Sequence, residues 1–369
     1  MIPLRILPII TALLLSACAT PQTNSNKIDS VASKLEAKKQ RELVVQEWTN
    51  ADERLFRVGY PILVKATSFC EKTSYQTGMT FWSAKDVGKE WEEAYQSVYG
   101  LSELLQAAYI VPGAPADKDG LKRDDIFIAI NDWSVPVGKK AKNKFIEKLG
   151  ELSKSADSIA FKVQRGDQEL TLTVTPEKAC DYQIILDPSD VLNAFADGKT
   201  ITFHKGIMDF FRTDQEVALV FSHELAHNTM KHNEAKTQNM TVGGAGGFVI
   251  DLLGALAGIN TQGKFTDMGM RGGAGAFSAA FETEADYVGL YIMAVSGNEI
   301  EKSSHFWRRM SMKSVQSISL TTTHPANADR FVGIENTIKE IKAKIAAGEP
   351  LQPEMKKTKP VDPPKAPKH

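Results

Sequence analysis

The sequence predicts an α+β protein, in which a mainly helical domain carries a small edge-exposed sheet and a β-rich domain is inserted before it. Alternating apolar runs over residues 158–165 and 169–175 indicate strands, whereas a capped apolar segment that begins at Thr213 indicates a helix. The chain has 369 residues, 42% of them hydrophobic and 24% charged, which is an ordinary globular balance. Its 44 basic and 45 acidic residues give a net charge of -1, so nucleic acid is not an expected partner.

The first residues have the features of an export signal. Arg5 precedes an apolar run over residues 6–15, which is too short for the ~20 residues of a membrane-spanning helix. The run ends in L-S-A-C at Cys18, which resembles the lipobox of bacterial lipoproteins. The resemblance implies a signal peptide over residues 1–17 and a lipid anchor on Cys18 as the only membrane attachment. Ala19 follows the cysteine in place of Asp, which favours the outer membrane facing the periplasm, with the inner membrane the alternative. A simple secretory signal with a chance cysteine is the alternative.

Composition separates the ends of the chain from the folded body. Residues 18–28 are a polar tether. Residues 29–94 are expected to form an N-terminal helical region that packs on the domain over residues 181–346, because their first part is rich in Lys, Glu, Leu and Val. Residues 347–369 contain many Pro and Lys and have little to bury, which predicts a disordered tail.

Residues 95–180 carry a second recognisable pattern. VPGAPA at residues 111–116 and GLKRDDIFIAIN at residues 120–131 indicate a turn, a short helix and a strand, and the pattern resembles a PDZ domain of the bacterial protease type. Asp124 stands where that family usually has Gly, and Asp tolerates positive φ. The resemblance implies binding of an extended peptide or C-terminus by strand addition, with a carboxylate loop near Gly100. A purely structural insert is the alternative.

Two cysteines flank this domain. Once Cys18 is assigned to lipidation, Cys70 and Cys180 remain, an even number in an oxidising compartment. We therefore predict a disulfide between them that clamps the start and end of the inserted domain. Two unrelated buried thiols are the alternative.

The strongest chemical signal is the H-E-L-A-H sequence that begins at His223. At ~100° per residue, His223 and His227 lie on one helix face and can bind one tetrahedral zinc ion. Glu224 lies next to that face and can take a proton from a zinc-activated water. Two ordinary histidines on a helix surface are the alternative.

A catalytic zinc usually has a third protein ligand. His232 is excluded by helix geometry, since it lies ~180° around the helix from His223. Downstream, Glu282 and Asp286 are four residues apart and share a helix face, while Glu284 points about 200° away from Glu282.

HExxH followed by a distant E-x-x-A-D resembles the gluzincin metallopeptidase family that includes the CAAX prenyl proteases and the HtpX-type heat-shock proteases, and here its soluble, exported, PDZ-containing branch. The resemblance implies a zincin-like domain over residues 181–346 and one Zn²⁺ per chain. Glu282 would be the third ligand and Asp286 the acid that orients a ligand histidine. Glu284 would be an exposed charge, with a role as ligand the alternative.

The resemblance extends to both sides of this helix pair. N-A-F at residues 193–195 and the strand at residues 200–204 resemble the family's cleft-lining edge strand, so substrate would lie extended near Ile201 to Phe203. T-H-P around His324, followed by Arg330, resembles the family's T-H-P-x-x-x-x-R motif. It implies that His324 stabilises the oxyanion or ligates zinc transiently, and that Arg330 orders the loop or the acidic group.

The expected function is that of a zinc endopeptidase of the bacterial cell envelope, acting on unfolded or misassembled exported proteins. A PDZ-bearing chaperone or assembly factor with an autoinhibited zinc site is the alternative, and a zinc hydrolase of non-peptide bonds is a weaker one. The glycine-rich residues 243–259 are a lid, a surface that touches membrane or a partner, or a plain loop between helices.

Overall fold

The computed structural model describes residues 23, 26–256, 261–275, 278–313 and 328–356. These residues confirm a mixed helix-and-sheet architecture, with one large apolar core in a helical body and a second core in a β-rich unit. The signal residues 1–17 and Cys18 lie outside the described residues, as does His324.

One long helix opens the described chain. Helix α1 (Ser30–Lys65) begins where Asp29 accepts hydrogen bonds from the amides of Val31 and Ala32, and it continues through Pro61. Two strands follow, β1 (Thr73–Gln76) and β2 (Met79–Trp82). The expected helical region over residues 29–94 is therefore wrong in its second half, because β2 pairs with a strand of the next unit.

The β-rich unit is one antiparallel sheet with helices around it. Its strands lie in the order β2-β3-β4-β6-β7, and β5 pairs with β4. The sheet begins at β2, so the unit starts before the expected boundary at residue 95. Asp124 has φ 67°, in the left-handed region expected at this turn. The further elements are α2 (Glu92–Tyr99), β3 (Gln106–Ile110), α3 (Pro115–Lys118), β4 (Ile126–Ile130), β5 (Trp133–Ser134), α4 (Ala141–Leu152), β6 (Ile159–Arg165) and β7 (Gln168–Val174).

Two paired strands, here called the neck, connect this unit to the helical body. Strand β1 pairs antiparallel with β8 (Glu177–Cys180), so the chain enters and leaves the unit on neighbouring strands. Cys70 and Cys180 form the predicted disulfide, and their Cα atoms are 5.7 Å apart. The neck thus has two hydrogen-bonded strands and one covalent cross-link.

The helical body carries a three-stranded sheet in the order β10-β11-β9. Strand β11 pairs antiparallel with β10 and parallel with β9, so it is the central strand. The expectation that residues 200–204 form the edge strand is therefore wrong, because β11 is hydrogen-bonded on both sides, to β10 and to β9. The edge beside the helices is β10. The strands are β9 (Gln183–Asp187), β10 (Ala194–Ala196) and β11 (Thr200–His204).

Seven helices complete the described part of the body, and none of the described helices is long and apolar enough to cross a bilayer. They are α5 (Lys205–Phe210), α6 (Asp214–Thr229), α7 (His232–Leu256), α8 (Lys264–Gly275), α9 (Ser278–Val295), α10 (Ser303–Ser311) and α11 (Ala328–Ala347). The segment after α11 differs from the expected disordered tail. Leu351 packs on the main core, and Lys344 donates to the carbonyl of Gln352 and pairs with Glu354.

Removing the neck disulfide tests its contribution to stability. Since it closes a loop with a sequence separation of 110 residues, we expect the double variant Cys70→Ala/Cys180→Ala to lose about 4–5 kcal/mol of unfolding free energy. Urea denaturation of the variant, and of the unchanged chain with and without reductant, measures the loss. A Cys18→Ser variant is the control, and an unchanged midpoint after reduction would contradict the prediction.

Candidate metal centre

Helix α6 crosses the main core and carries three ionisable side chains inside it. Its residues from Val217 to Asn228 are all buried. Its start is fixed by Thr213, whose hydroxyl accepts a hydrogen bond from the amide of Glu216, and by Arg309, which pairs with both Glu216 oxygens at 2.7 Å. His223, Glu224 and His227 are 1%, 2% and 4% exposed. Polar groups at this depth need partners or a metal.

Helix α9 packs closely on α6 and supplies the acidic groups. At Gly289, a Cβ atom would lie 3.1 Å from both the Cα and the backbone nitrogen of His223, which is tighter than ordinary side-chain packing. The glycine therefore permits an approach that places Glu282 and Asp286 against the two histidines. Both carboxylates are buried, Glu282 completely.

The three expected ligands converge. Nε2 of His223 lies 3.2 Å from Nε2 of His227, and each nitrogen is 3.4 Å from an oxygen of Glu282. Ligand atoms at ~2.0–2.1 Å around a tetrahedral zinc are about 3.3 Å apart. These residues therefore fit one zinc ion, and the three ligand atoms lie within 4.8 Å of one another.

Asp286 and Arg330 hold the first histidine. The guanidinium of Arg330 donates to both oxygens of Asp286 at 2.7 and 2.8 Å, and Nδ1 of His223 lies 3.1 Å from the same carboxylate. Burial raises the pKa of Asp286, but Arg330 and His223 outweigh burial and hold that pKa below its usual value. The anionic Asp286 can therefore accept the Nδ1 proton of His223 and leave Nε2 aimed at the metal position.

The two ligand histidines differ electrostatically. Burial lowers the pKa of His223, but the carboxylates of Asp286 and Glu282 outweigh burial and raise it to about 9. Burial lowers the pKa of His227 to about 4. His227 is therefore a neutral ring at physiological pH, whereas His223 must give up a proton when its Nε2 binds a cation.

The second ligand histidine, His227, is held by His232, the residue that helix geometry excluded as a zinc ligand. Nδ1 of His232 lies 2.9 Å from Nδ1 of His227, and Nε2 of His232 lies 3.0 Å from Glu284. His232 does not lie on the same helix as His223, because α6 ends at Thr229 and Lys231 turns the chain with φ 56°. His232 therefore starts a new helix and can reach His227. His232 is thus a partner of a ligand.

Glu284, expected to be only an exposed helix charge, is therefore the hydrogen-bonding partner of His232. Its side chain is 42% exposed, yet it pairs with the buried ring of His232, which also stacks on Phe281 at 4.7 Å. When Nε2 of His227 binds a metal, its Nδ1 proton can be donated to His232, and the Nε2 proton of His232 to Glu284. Each ligand histidine is thus linked to a carboxylate by hydrogen bonding. His223 contacts Asp286 directly, and His227 reaches Glu284 through the ring of His232.

Two buried histidines and a glutamate from two helices, with a glutamate beside the first ligand, define a metallopeptidase type of site. Residues 166–338 match Peptidase family M48. This part of the chain is therefore similar to the metallopeptidases of family M48, whose members use zinc.

Curated relatives match the same region at low identity. The mitochondrial metalloendopeptidase OMA1 is 27% identical over 168 residues in Schizosaccharomyces pombe and 29% identical over 168 residues in Saccharomyces cerevisiae. The matches cover 44% and 43% of this chain, and 48% and 46% of those proteins. The Beta-barrel assembly-enhancing protease of Escherichia coli is 23% identical over 175 residues, or 44% of this chain and 36% of that protein. This chain thus spans less than half the length of these relatives.

A solved structure, the HtrA3 PDZ domain bound to a phage-derived ligand, covers 29% of this chain and 89% of its own. Its sequence identity is 16% and its TM-score 0.22, which is too low to carry an argument about the β-rich unit.

Replacing His232 tests its role beside the metal site. We expect His232→Ala to weaken zinc binding about 10- to 100-fold, because partners of ligand histidines have effects of that size. Chelator competition measures the affinity, and imidazole nitrogen NMR shifts report the tautomer of His227. The exposed His305→Ala is the control, and an unchanged affinity and tautomer in the His232 variant would contradict the relay.

Proposed function

We propose that this protein is a zinc-dependent endopeptidase of the bacterial cell envelope that hydrolyses unfolded or misassembled exported proteins. The observation that carries the proposal is the convergence of His223, His227 and Glu282 at tetrahedral spacing, beside Glu224 and within the region that matches Peptidase family M48. The Escherichia coli relative is named Beta-barrel assembly-enhancing protease, and this name supports the proposal that the substrates are envelope proteins.

The chemistry follows from the positions of the chain's own groups. When bound by the three ligands, zinc supplies Lewis-acid chemistry that polarises the scissile carbonyl and lowers the pKa of water. Glu224 follows His223 on the buried helix and lies within electrostatic reach of His227 and Arg330. We infer that Glu224 accepts a proton as the water oxygen attacks the carbonyl carbon. It then donates a proton to the amine nitrogen as the C–N bond breaks.

The edge strand β10 is the proposed binding site for the substrate backbone. It lies beside α6, and Asn228 of that helix accepts from the amide of Gly198 and donates to the carbonyl of Thr200 in the β10–β11 turn. A second anchor, Asn233, donates to the carbonyl of Ala196 at 2.6 Å. Because His223 and His227 sit on the helix that holds this hairpin, a peptide added to β10 runs past the site.

The β-rich unit supports a second, recruiting role, binding of extended peptide as the PDZ resemblance implies. Strand β2 is the terminal strand of its sheet, and a cavity of about 540 Å³ lies along it, bounded by α4 and by β9 of the helical body. Gly100 caps α2, and Leu101 is buried in another cluster, so the residues expected to form the carboxylate loop belong to a helix end. We propose that extended polypeptide adds to β2.

Export and lipid anchoring complete the proposal. Both rest on the sequence of residues 1–18, where the apolar run ends at Cys18. The disulfide between Cys70 and Cys180 supports an oxidising compartment. We therefore propose attachment to the outer membrane, facing the periplasm.

The replacement Glu224→Gln tests the peptidase. We expect it to lower cleavage of an unfolded protein by about 10²–10⁴-fold, because it removes the proton acceptor. The zinc content, measured on the same samples, should stay at one per chain. The exposed Glu349→Gln is the matched control.

If the unchanged chain holds zinc and cleaves no unfolded protein, the autoinhibited chaperone becomes the better description. His324 is then the next residue to replace, since the T-H-P resemblance implies that it can reach the zinc.

A further inference from the structure

The hairpin of α7 and α8 ends in an exposed apolar tip. Over the last part of α7, six large apolar residues are between 48% and 78% exposed. A contiguous patch of this kind on a folded protein indicates an interaction site. The six are Phe248, Val249, Ile250, Leu252, Leu253 and Leu256.

Charge is nearly absent from this tip. Between Lys236 and Lys264 the sequence has one ionisable residue, Asp251. Its carboxylate faces into the hairpin, where it accepts from the amide and hydroxyl of Thr266 at 2.8 and 2.7 Å and caps the start of α8. The one charge of the tip is therefore held by the partner helix, and the outer surface is left apolar.

The apolar residues spread widely around the surface of α7 that faces away from α8, rather than form one stripe. Phe248, Val249 and Ile250 are consecutive and point in three directions ~100° apart, and each is half exposed or more. A helix that docks on one protein surface needs one apolar face, whereas an apolar circumference fits a surrounding apolar medium.

The two helices pack through glycine. A Cβ atom at Gly247 would overlap the carbonyl of Phe265, and a Cβ atom at Gly269 would overlap the carbonyl of Gly243. Small residues thus lie between the helices while large apolar ones face outwards. Helix pairs in water place large apolar residues between them, and small residues at the contact are typical of helix pairs in lipid.

We propose that the tip of the α7–α8 hairpin inserts into one leaflet of a lipid bilayer. From Phe248 to Leu256 the helix is about 13 Å long at 1.5 Å per residue, close to the ~15 Å of half a hydrocarbon core. Lys264 on α8 is exposed and can face anionic lipid headgroups, whereas Arg271, also exposed, pairs with Asp267. The insertion would hold the peptidase body at the membrane surface.

Spin labels test the insertion without reference to zinc or peptidase activity. The full chain carrying Leu253→Cys is labelled with a nitroxide and reconstituted in vesicles of phosphatidylethanolamine and phosphatidylglycerol. Val332→Cys, also an exposed apolar position, is the matched control, and the chain without an added cysteine is the blank. We expect the label at position 253 to collide more often with oxygen, and less often with a water-soluble nickel chelate, than the label at position 332.

Two results would overturn the proposal. Nickel collisions at position 253 equal to those at position 332 would place the tip in water. A label at position 253 shielded from both oxygen and nickel would show that a protein surface, such as a second copy, covers the tip. A further variant tests the cause: adding Leu252→Glu and Leu256→Glu should return the label at position 253 to water, since charged side chains are costly in lipid.

Discussion

The need to satisfy charge inside the protein core governs the arrangement around α6. A helix that is buried on all sides carries two imidazoles and a carboxylate, and α9 adds two more carboxylates at the same depth. Isolated charges at such depth are costly, so each requires a partner. Arg330 meets this need for Asp286, and the convergence of three ligand atoms creates a position that a divalent cation satisfies.

This constraint explains features that lie away from the ligands themselves. Gly289 lies where even a Cβ atom would be 3.1 Å from the backbone of His223, so the glycine allows the close approach of α9 to α6 that brings the carboxylates to the imidazoles. Trp307 covers the guanidinium of Arg330 at 5.1 Å and lies 5.2 Å from the ring of His223, which shields this group from water. The geometry of the metal centre therefore depends on the packing of the surrounding core as well as on the ligands themselves.

The sequence predicted the elements whose signal is local. The 3.6-residue repeat placed His223 and His227 on one face, and the alternating runs marked β6 and β7 within one residue. The partner role of His232 could not be predicted, because the chain turn at Lys231 uses a non-glycine residue with positive φ and leaves no signature. The central position of β11 and the early start of the β-rich sheet depend on long-range pairing, which local patterns do not encode.

The disulfide at the neck determines what happens when a protease cuts the chain. Every peptide bond between Cys70 and Cys180 lies inside the loop that the cross-link closes. A single cut anywhere in the β-rich unit would therefore leave α1 covalently joined to the segment that carries the metal ligands. The helical body can thus survive the clipping of the unit beside it as one covalent molecule.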